Sequence, residues 1–134
     1  MFQGKKHKSH NRIDSLVGHD ATVNGNIEFA GGLRIDGRVR GDVVAAEGKP
    51  STLVLSERAR IEGAIKVSHL ILNGEVTGPI YAGKYLELQP KSKVQGDVHY
   101  RTIEIHPGAV VEGRLILVEP DVAKADVQGK PSQG

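Results

Sequence analysis

Val94-Gln95-Gly96-Asp97-Val98 is one copy of a pentad that decides the fold of this chain. The pattern is apolar-x-Gly-x-apolar, and its other copies are Val23-Asn24-Gly25-Asn26-Ile27, Val39-Arg40-Gly41-Asp42-Val43, Ile61-Glu62-Gly63-Ala64-Ile65, Val76-Thr77-Gly78-Pro79-Ile80 and Val111-Glu112-Gly113-Arg114-Leu115. Successive central glycines lie 16, 22, 15, 18 and 17 residues apart. A repeat of this length indicates a solenoid, in which each copy belongs to one coil that stacks on its neighbours.

A second apolar pattern precedes each pentad after the first. It consists of two apolar residues with one residue between them: Leu33/Ile35, Leu53/Leu55, Leu70/Leu72, Leu86/Leu88 and Ile103/Ile105. Apolar and polar residues alternate throughout these units, and a period of two is typical of strands with one buried face. The sequence therefore predicts an all-β chain of about six coils, each with two or three strands of about four to five residues.

The central glycines have the same parity as their apolar neighbours, so we expect them to point inward or to lie at corners. These structural glycines are Gly25, Gly41, Gly63, Gly78, Gly96 and Gly113. Asp42 and Asp97 each follow one of them and are expected to make local turn bonds. The longest repeat contains Gly48-Lys49-Pro50-Ser51, a cluster that predicts a surface loop.

The net charge of +2 is distributed unevenly along the chain. Residues 1–12 carry four basic residues and no acid, residues 13–118 carry 12 basic and 13 acidic residues, and residues 119–134 carry two basic and three acidic residues. We therefore expect a disordered basic N-terminal arm over 1–12, a β-helix domain over 13–118, and a disordered C-terminal tail over 119–134 that contains Pro and Gly.

The composition excludes several classes of site. The chain has no cysteine, which rules out disulfides, thiolate nucleophiles and thiolate metal ligands. No stretch approaches 18 consecutive apolar residues, and the N-terminal segment lacks the apolar region of a secretory signal. These features fit a cytoplasmic protein, and no pattern calls for a metal, a cofactor or a small-molecule substrate.

The run from Ile27 to Val43, Ile-Glu-Phe-Ala-Gly-Gly-Leu-Arg-Ile-Asp-Gly-Arg-Val-Arg-Gly-Asp-Val, resembles the bactofilins, which are bacterial cytoskeletal proteins. The resemblance covers roughly residues 13–118. It implies a right-handed, three-sided parallel β-helix and nucleotide-independent, non-polar filaments that form through coil-to-coil contact of like ends. It also implies a scaffold that places cell-wall or chromosome-segregation proteins at chosen sites on the inner face of the cytoplasmic membrane.

The ends of the predicted solenoid favour polymerisation independently of the family. An uncapped end coil exposes a slice of core and a row of unpaired backbone groups, and solenoids that stay monomeric cover both. The chain shows no capping helix, so we expect end-to-end contacts through Val23, Ile27, Leu115, Ile116 and Leu117. Some family members carry an aromatic residue in the last coil that serves the end-to-end contact, whereas the last coil of this chain ends Leu115-Ile116-Leu117-Val118, so the contact here must be aliphatic. The alternative is that the arm or the tail folds over one end.

The N-terminal arm combines two apolar residues with a basic stem, as a peripheral membrane anchor does. Met1, Phe2, Lys5, Lys6 and Lys8 are the predicted membrane-binding residues, and the start Met1-Phe2 followed by lysines also resembles the targeting arm of part of the family. A purely solubilising arm is one alternative. Nucleic-acid binding is a weaker one, because the folded body adds neither a basic face nor aromatic stacking residues.

An enzyme is the rival class. Some acyltransferases are left-handed β-helices with about 18 residues per coil and a catalytic histidine. His99 and His106 flank strands of neighbouring coils, but no carboxylate is clearly placed to orient either ring, and the strict six-residue register of those enzymes is missing. We therefore predict a protein that is not an enzyme, with surface histidines of no catalytic role.

Overall fold

The computed structural model describes residues 12–119, and this part of the chain contains 16 β-strands and no helix. The all-β prediction is confirmed. The predicted arm and tail lie outside the described residues, apart from Arg12 and Glu119.

The strands form three stacks, and every coil contributes one segment to each stack. The first stack contains β1 (Ser15–Val17), β4 (Gly31–Ile35), β7 (Ser51–Leu55), the second parts of β9 (Ile65–Leu72) and β11 (Ile80–Leu88), and β14 (Ile103–Ile105). The second stack contains β2 (Thr22–Asn24), β5 (Arg38–Arg40), β8 (Arg60–Glu62), β10 (Glu75–Thr77), β12 (Lys93–Gln95) and β15 (Val110–Glu112). The third stack contains β3 (Ile27–Phe29), β6 (Val43–Ala45), the first parts of β9 and β11, β13 (Val98–Tyr100) and β16 (Leu115–Leu117).

All neighbouring strands pair in parallel, with apolar residues in register from coil to coil. Val76, for example, lies opposite Ile61 on one side and Val94 on the other. The predicted solenoid of about six coils is confirmed, and each coil has three strands where the sequence left two or three open. At a strand spacing of about 4.8 Å, six coils form a rod of roughly 29 Å.

The core consists of apolar columns that run through the stacked coils. In the second stack, Val39, Ile61, Val76 and Val94 are completely buried, whereas Val111 in the last coil is only partly covered. Burying one such side chain stabilises the fold by about 1.5–3 kcal/mol relative to leaving it in water. The inner coils therefore gain this stabilisation in full and the end coils only in part.

The longest connection between coils is an exposed loop at residues 46–50, which joins β6 to β7. The predicted loop is wrong in its last residue, because Ser51 is buried at the start of β7. The Ser51 N–H donates to Ser68 Oγ at 2.7 Å, and Ser68 Oγ donates to the Ser51 carbonyl at 2.7 Å. These bonds satisfy the polar groups of a serine that sequence alone assigns to a loop.

Candidate assembly surface at the end coils

The last coil presents core residues that no further coil covers. Leu115 lies opposite Val98 in the third stack, yet Leu115 is 45% exposed and Val98 is completely buried. Leu117 is 56% exposed in the same strand. Ile105, in the first stack, is 47% exposed, although its neighbour Leu88 is completely buried. The difference arises from position in the rod, because an inward side chain is covered by the next coil everywhere except in the last coil.

Ile116 differs from its two neighbours in orientation. It lies opposite His99, whose ring stacks on Tyr81 on the outer face of the third stack with 4.3 Å between ring centroids. The structure therefore brings Leu115 and Leu117 together at the end of the core, and it places Ile116 at the outer rim of that end.

Val23 and Ile27 lie in the first coil, at the opposite end of the rod. They are in register with the buried core residues Val39 and Val43, and both are partly buried. Leu16 is the most exposed large apolar residue there, at 62%. The five sequence-predicted interface residues thus form two separate surfaces, with the more exposed core residues in the last coil.

Both end coils also have free strand edges within the described residues. β14, β15 and β16 each pair on one side only, with β11, β12 and β13. β1, β2 and β3 likewise pair only with β4, β5 and β6. An unpaired strand edge is a template for another strand, so each end offers backbone hydrogen bonds together with apolar contact.

The pentad glycines form a column at the corner between the second and third stacks. Gly96 has a φ of +144°, and a Cβ built on it would lie 2.6 Å from the carbonyl oxygen of Gly78 in the coil before. Gly113 would meet Gly96 in the same way. These contacts place the glycines at corners where adjacent backbones approach closely, one of the two positions considered from the sequence.

Polar residues beside these glycines form a second column that sequence reasoning missed. Asn26 Oδ1 accepts the Asp42 N–H at 2.8 Å, and Asp42 Oδ1 accepts the Ala64 N–H at 2.9 Å. The expectation of local turn bonds is therefore wrong, since the bonds join successive coils. Ala64 has no side-chain acceptor, and the next coil has Pro79 at this position, which has no N–H to donate. The available signal was an Asn or Asp directly after three of the pentad glycines, at Asn26, Asp42 and Asp97.

Asp97 continues this column into the last coil. Its Oδ1 accepts the Arg114 N–H at 3.0 Å, and its Oδ2 lies 2.8 Å from Arg114 Nη2. The side-chain and backbone hydrogen bonds from Arg114 lower the pKa of the Asp97 carboxyl below its ordinary value. The ion pair thus connects the last coil to the rod beside the exposed Leu115.

His106 has two carboxylate neighbours, contrary to the sequence-based expectation that neither it nor His99 has a clearly placed carboxylate. Its Nε2 lies 3.0 Å from Glu87 Oε2 and 3.1 Å from Glu104 Oε2, although no contact has the direction of a hydrogen bond. The contact could not be predicted from the sequence, because it depends on the pairing of Glu87 with Glu104 in adjacent coils.

The carboxylates and the imidazole together have ligand atoms within 4.8 Å of one another, a set that could hold a divalent cation. The Tyr85 hydroxyl donates to Glu104 Oε1 at 2.7 Å, and this bond, with burial and the carboxylate charges, raises the pKa of Tyr85 to about 12. His99 belongs to the third stack and His106 follows the first, so the two histidines lie on different faces.

The predicted membrane-binding residues, from Met1 to Lys8, lie outside the described residues. No helix between residues 12 and 119 has the length and apolar character needed to cross a membrane.

A three-sided parallel β-solenoid with an exposed core and free strand edges at both ends defines a class of stackable structural proteins. Residues 15–116 match the family model of bactofilin, described as polymer-forming cytoskeletal. The chain belongs to the bactofilin family, as the sequence resemblance indicated. Membership of a cytoskeletal family also favours the prediction that the protein is not an enzyme.

Two curated relatives come from Myxococcus xanthus (strain DK1622). The chain is 27% identical to bactofilin BacP over 123 residues, which cover 90% of this chain and 50% of BacP. It is 28% identical to bactofilin BacO over 102 residues, which cover 76% of this chain and 78% of BacO. The chain therefore spans about half the length of BacP. No solved structure gives a significant match.

Proposed function

We propose that this protein is a cytoskeletal scaffold that assembles without nucleotide into non-polar filaments through its end coils. One observation carries the proposal: Leu115 and Leu117 continue a buried core column, yet nothing in the described structure covers them. Another end coil placed there would bury these side chains and pair the free edges of the three strands. Both effects favour association. The burial of apolar surface alone contributes a free energy of about 25 cal/mol for each Å² removed from water.

Electron microscopy of the purified full chain tests this proposal directly. Without nucleotide, we expect long filaments about one solenoid wide. Leu117→Arg should abolish them, because assembly would bury a charge without a partner. Leu115→Arg should act in the same way, and Ile116→Arg should weaken assembly less because Ile116 lies at the rim.

Val110→Arg is the matched control. Val110 is also an exposed apolar residue of the last coil, but it lies opposite Lys93 on the outer face, where a basic residue already occurs. We expect Val110→Arg filaments to resemble those of the unmodified chain. Filaments of normal length from Leu117→Arg would overturn the end-coil proposal, as would their equal loss in Val110→Arg.

We further propose that the arm tethers these filaments to the anionic inner face of the cytoplasmic membrane. The support is the sequence of the arm, in which Met1 and Phe2 precede three lysines. The scaffold would then recruit cell-wall, cell-polarity or chromosome-segregation proteins, a role supported by the family resemblance alone. Pull-down with membrane-bound filaments, compared with Leu117→Arg, would identify clients that require the polymer.

A further inference from the structure

A groove lies beneath the loop of residues 46–50, at the corner where the third stack passes into the first. Its cavity measures about 580 Å³, which falls within the range of about 300–1,000 Å³ that is usual for binding sites. Ala45, Val67 and the Tyr81 ring contribute apolar lining, and Lys49, Lys66 and Lys84 contribute cations. We call this cavity the flank groove.

The lysines of the flank groove exceed the nearby negative charge. Lys66 Nζ lies 3.6 Å from Glu47 Oε2, which partly balances one cation. Across residues 12–119, no carboxylate forms an ion pair with Lys49 or Lys84. An occupant should therefore combine small apolar side chains with carboxylates.

The chain leaves the solenoid at this same corner. The Val118 N–H donates to the Tyr100 carbonyl at 2.7 Å, which continues the register of the third stack past Leu117. Tyr100 in turn lies opposite Ala82, so Val118, Arg101 and Gly83 each directly follow a paired residue of the third stack at this corner. Gly83 lines the groove and lies two coils away, or about 10 Å at the usual strand spacing. Four extended residues span about 13 Å, so the tail can reach the groove.

The tail has the chemistry that the flank groove requires. Residues 119–126 contain Glu119, Asp121 and Asp126 against the single base Lys124, which leaves a net charge of −2. Val122 and Val127 supply small apolar side chains, with alanines between them. The N-terminal arm is basic and would be repelled by the lysines of the groove.

We propose that residues 119–134 dock into the flank groove of their own molecule, with carboxylates at the lysines and valines on the apolar lining. Arg101 lies between the point where the chain leaves the solenoid and the groove, so the tail would pass a basic residue before it reaches the lysines of the groove. Docking along the flank would also keep the tail away from the exposed end of the last coil. The proposal depends on the groove and the exit point, and it holds whether or not filaments form.

Disulfide trapping in the full chain tests the proposal, because the chain has no cysteine of its own. Gly83 is exposed, and a Cβ there would have no neighbour closer than 3.9 Å, so Gly83→Cys should be tolerated. Paired with Val122→Cys, it should form a disulfide within one molecule under mild oxidation. The control pair Lys93→Cys with Val122→Cys should stay largely reduced, since Lys93 lies on the second stack and a disulfide requires Cα atoms within about 7 Å.

The rate at which the disulfide between positions 83 and 122 forms tests the electrostatic part of the proposal. Lys84→Glu should slow formation of the 83–122 disulfide at least fivefold, whereas Lys91→Glu, at an exposed corner elsewhere, should leave the rate unchanged. Equal trapping in the control pair, or a rate insensitive to Lys84→Glu, would overturn the proposal. Covalent dimers in place of cross-linked monomers would show that the tail of a second copy occupies the groove, which also overturns docking within one molecule.

Discussion

At the residue scale, the corner glycines set how closely the coils can stack. Gly96 has a positive φ, which residues other than glycine rarely adopt, and its missing Cβ leaves room for the Gly78 carbonyl. A side chain there would meet backbone atoms, which cannot rotate away as a flexible side chain can. A side chain introduced in this column would therefore affect two coils at once, because it would strain the backbone of its own coil and crowd the backbone of the coil before it.

Gly96→Ala should lower the free energy of unfolding by about 2–4 kcal/mol, because strain and overpacking add at this site. Gly96→Val should cost more. Urea unfolding followed by circular dichroism measures the loss, with Leu117→Arg present in every variant to prevent filaments and with all variants at one protein concentration so that any dimerisation is the same. Gly83→Ala is the control, since Gly83 lacks the positive φ and its nearest neighbour would be 3.9 Å away. Equal stability of the two alanine variants would show that the corner tolerates a Cβ.

At the element scale, the polar side chains beside the glycines join successive coils at three corners, through Asn26, Asp42 and Asp97. Asp42→Ala removes the acceptor of the Ala64 N–H, and we expect a loss of about 1–2 kcal/mol because a partly buried donor is left unpaired. Asp42→Asn should retain most of the stability, since Asn26 makes the equivalent bond one coil earlier. Chemical denaturation of the two variants compares them. A similar loss in both would mean that the carboxylate charge, and not the acceptor oxygen, supports the corner.

The strands were predictable because each leaves a local pattern, with apolar residues alternating around a glycine at nearly constant spacing. Three strands per coil were harder to infer, since β9 and β11 continue through a corner as single strands, with only Ser68 in β9 and residues 83–84 in β11 between their two parts. The inward or corner position of the pentad glycines could be inferred because each glycine has the same parity as its two apolar neighbours. Contacts such as those of His106 with Glu87 and Glu104 depend on which residues become neighbours after stacking, and variable corner lengths conceal that register. The flank groove was missed for the same reason.

At the scale of the whole molecule, the two ends of the rod differ, and this difference makes filament polarity testable. Leu117→Arg blocks the last coil and leaves the first coil, with Val23 and Ile27, unchanged. If like ends associate, the variant should form dimers through its first coil. If unlike ends associate, every contact uses the blocked end, and the variant should be a monomer. We expect dimers by analytical ultracentrifugation, with polymers from Val110→Arg, and a strictly monomeric Leu117→Arg would contradict non-polar assembly.

Assembly should also determine membrane binding, because a single arm is a weak anchor. Each lysine near an anionic surface contributes about 1 kcal/mol, so the three lysines give roughly 3 kcal/mol together with a small apolar contribution from Phe2. A filament presents many arms to one surface, and binding of the first raises the effective concentration of the rest. Membrane binding should therefore require both the arm and an intact end coil, although the two lie in different parts of the chain.

Sedimentation with vesicles that contain anionic lipid tests this coupling. We expect the full chain and Val110→Arg to pellet with the vesicles, and deletion of residues 2–8 to abolish pelleting while filaments persist. Filaments heavy enough to sediment alone are separated by flotation of the vesicles on a density gradient. Leu117→Arg should also stay unbound at the same concentration, although its arm is intact, because only one or two arms then act together. Flotation of Leu117→Arg equal to that of the full chain would show that one arm is sufficient, and equal flotation of the deletion would show that the arm is not the anchor.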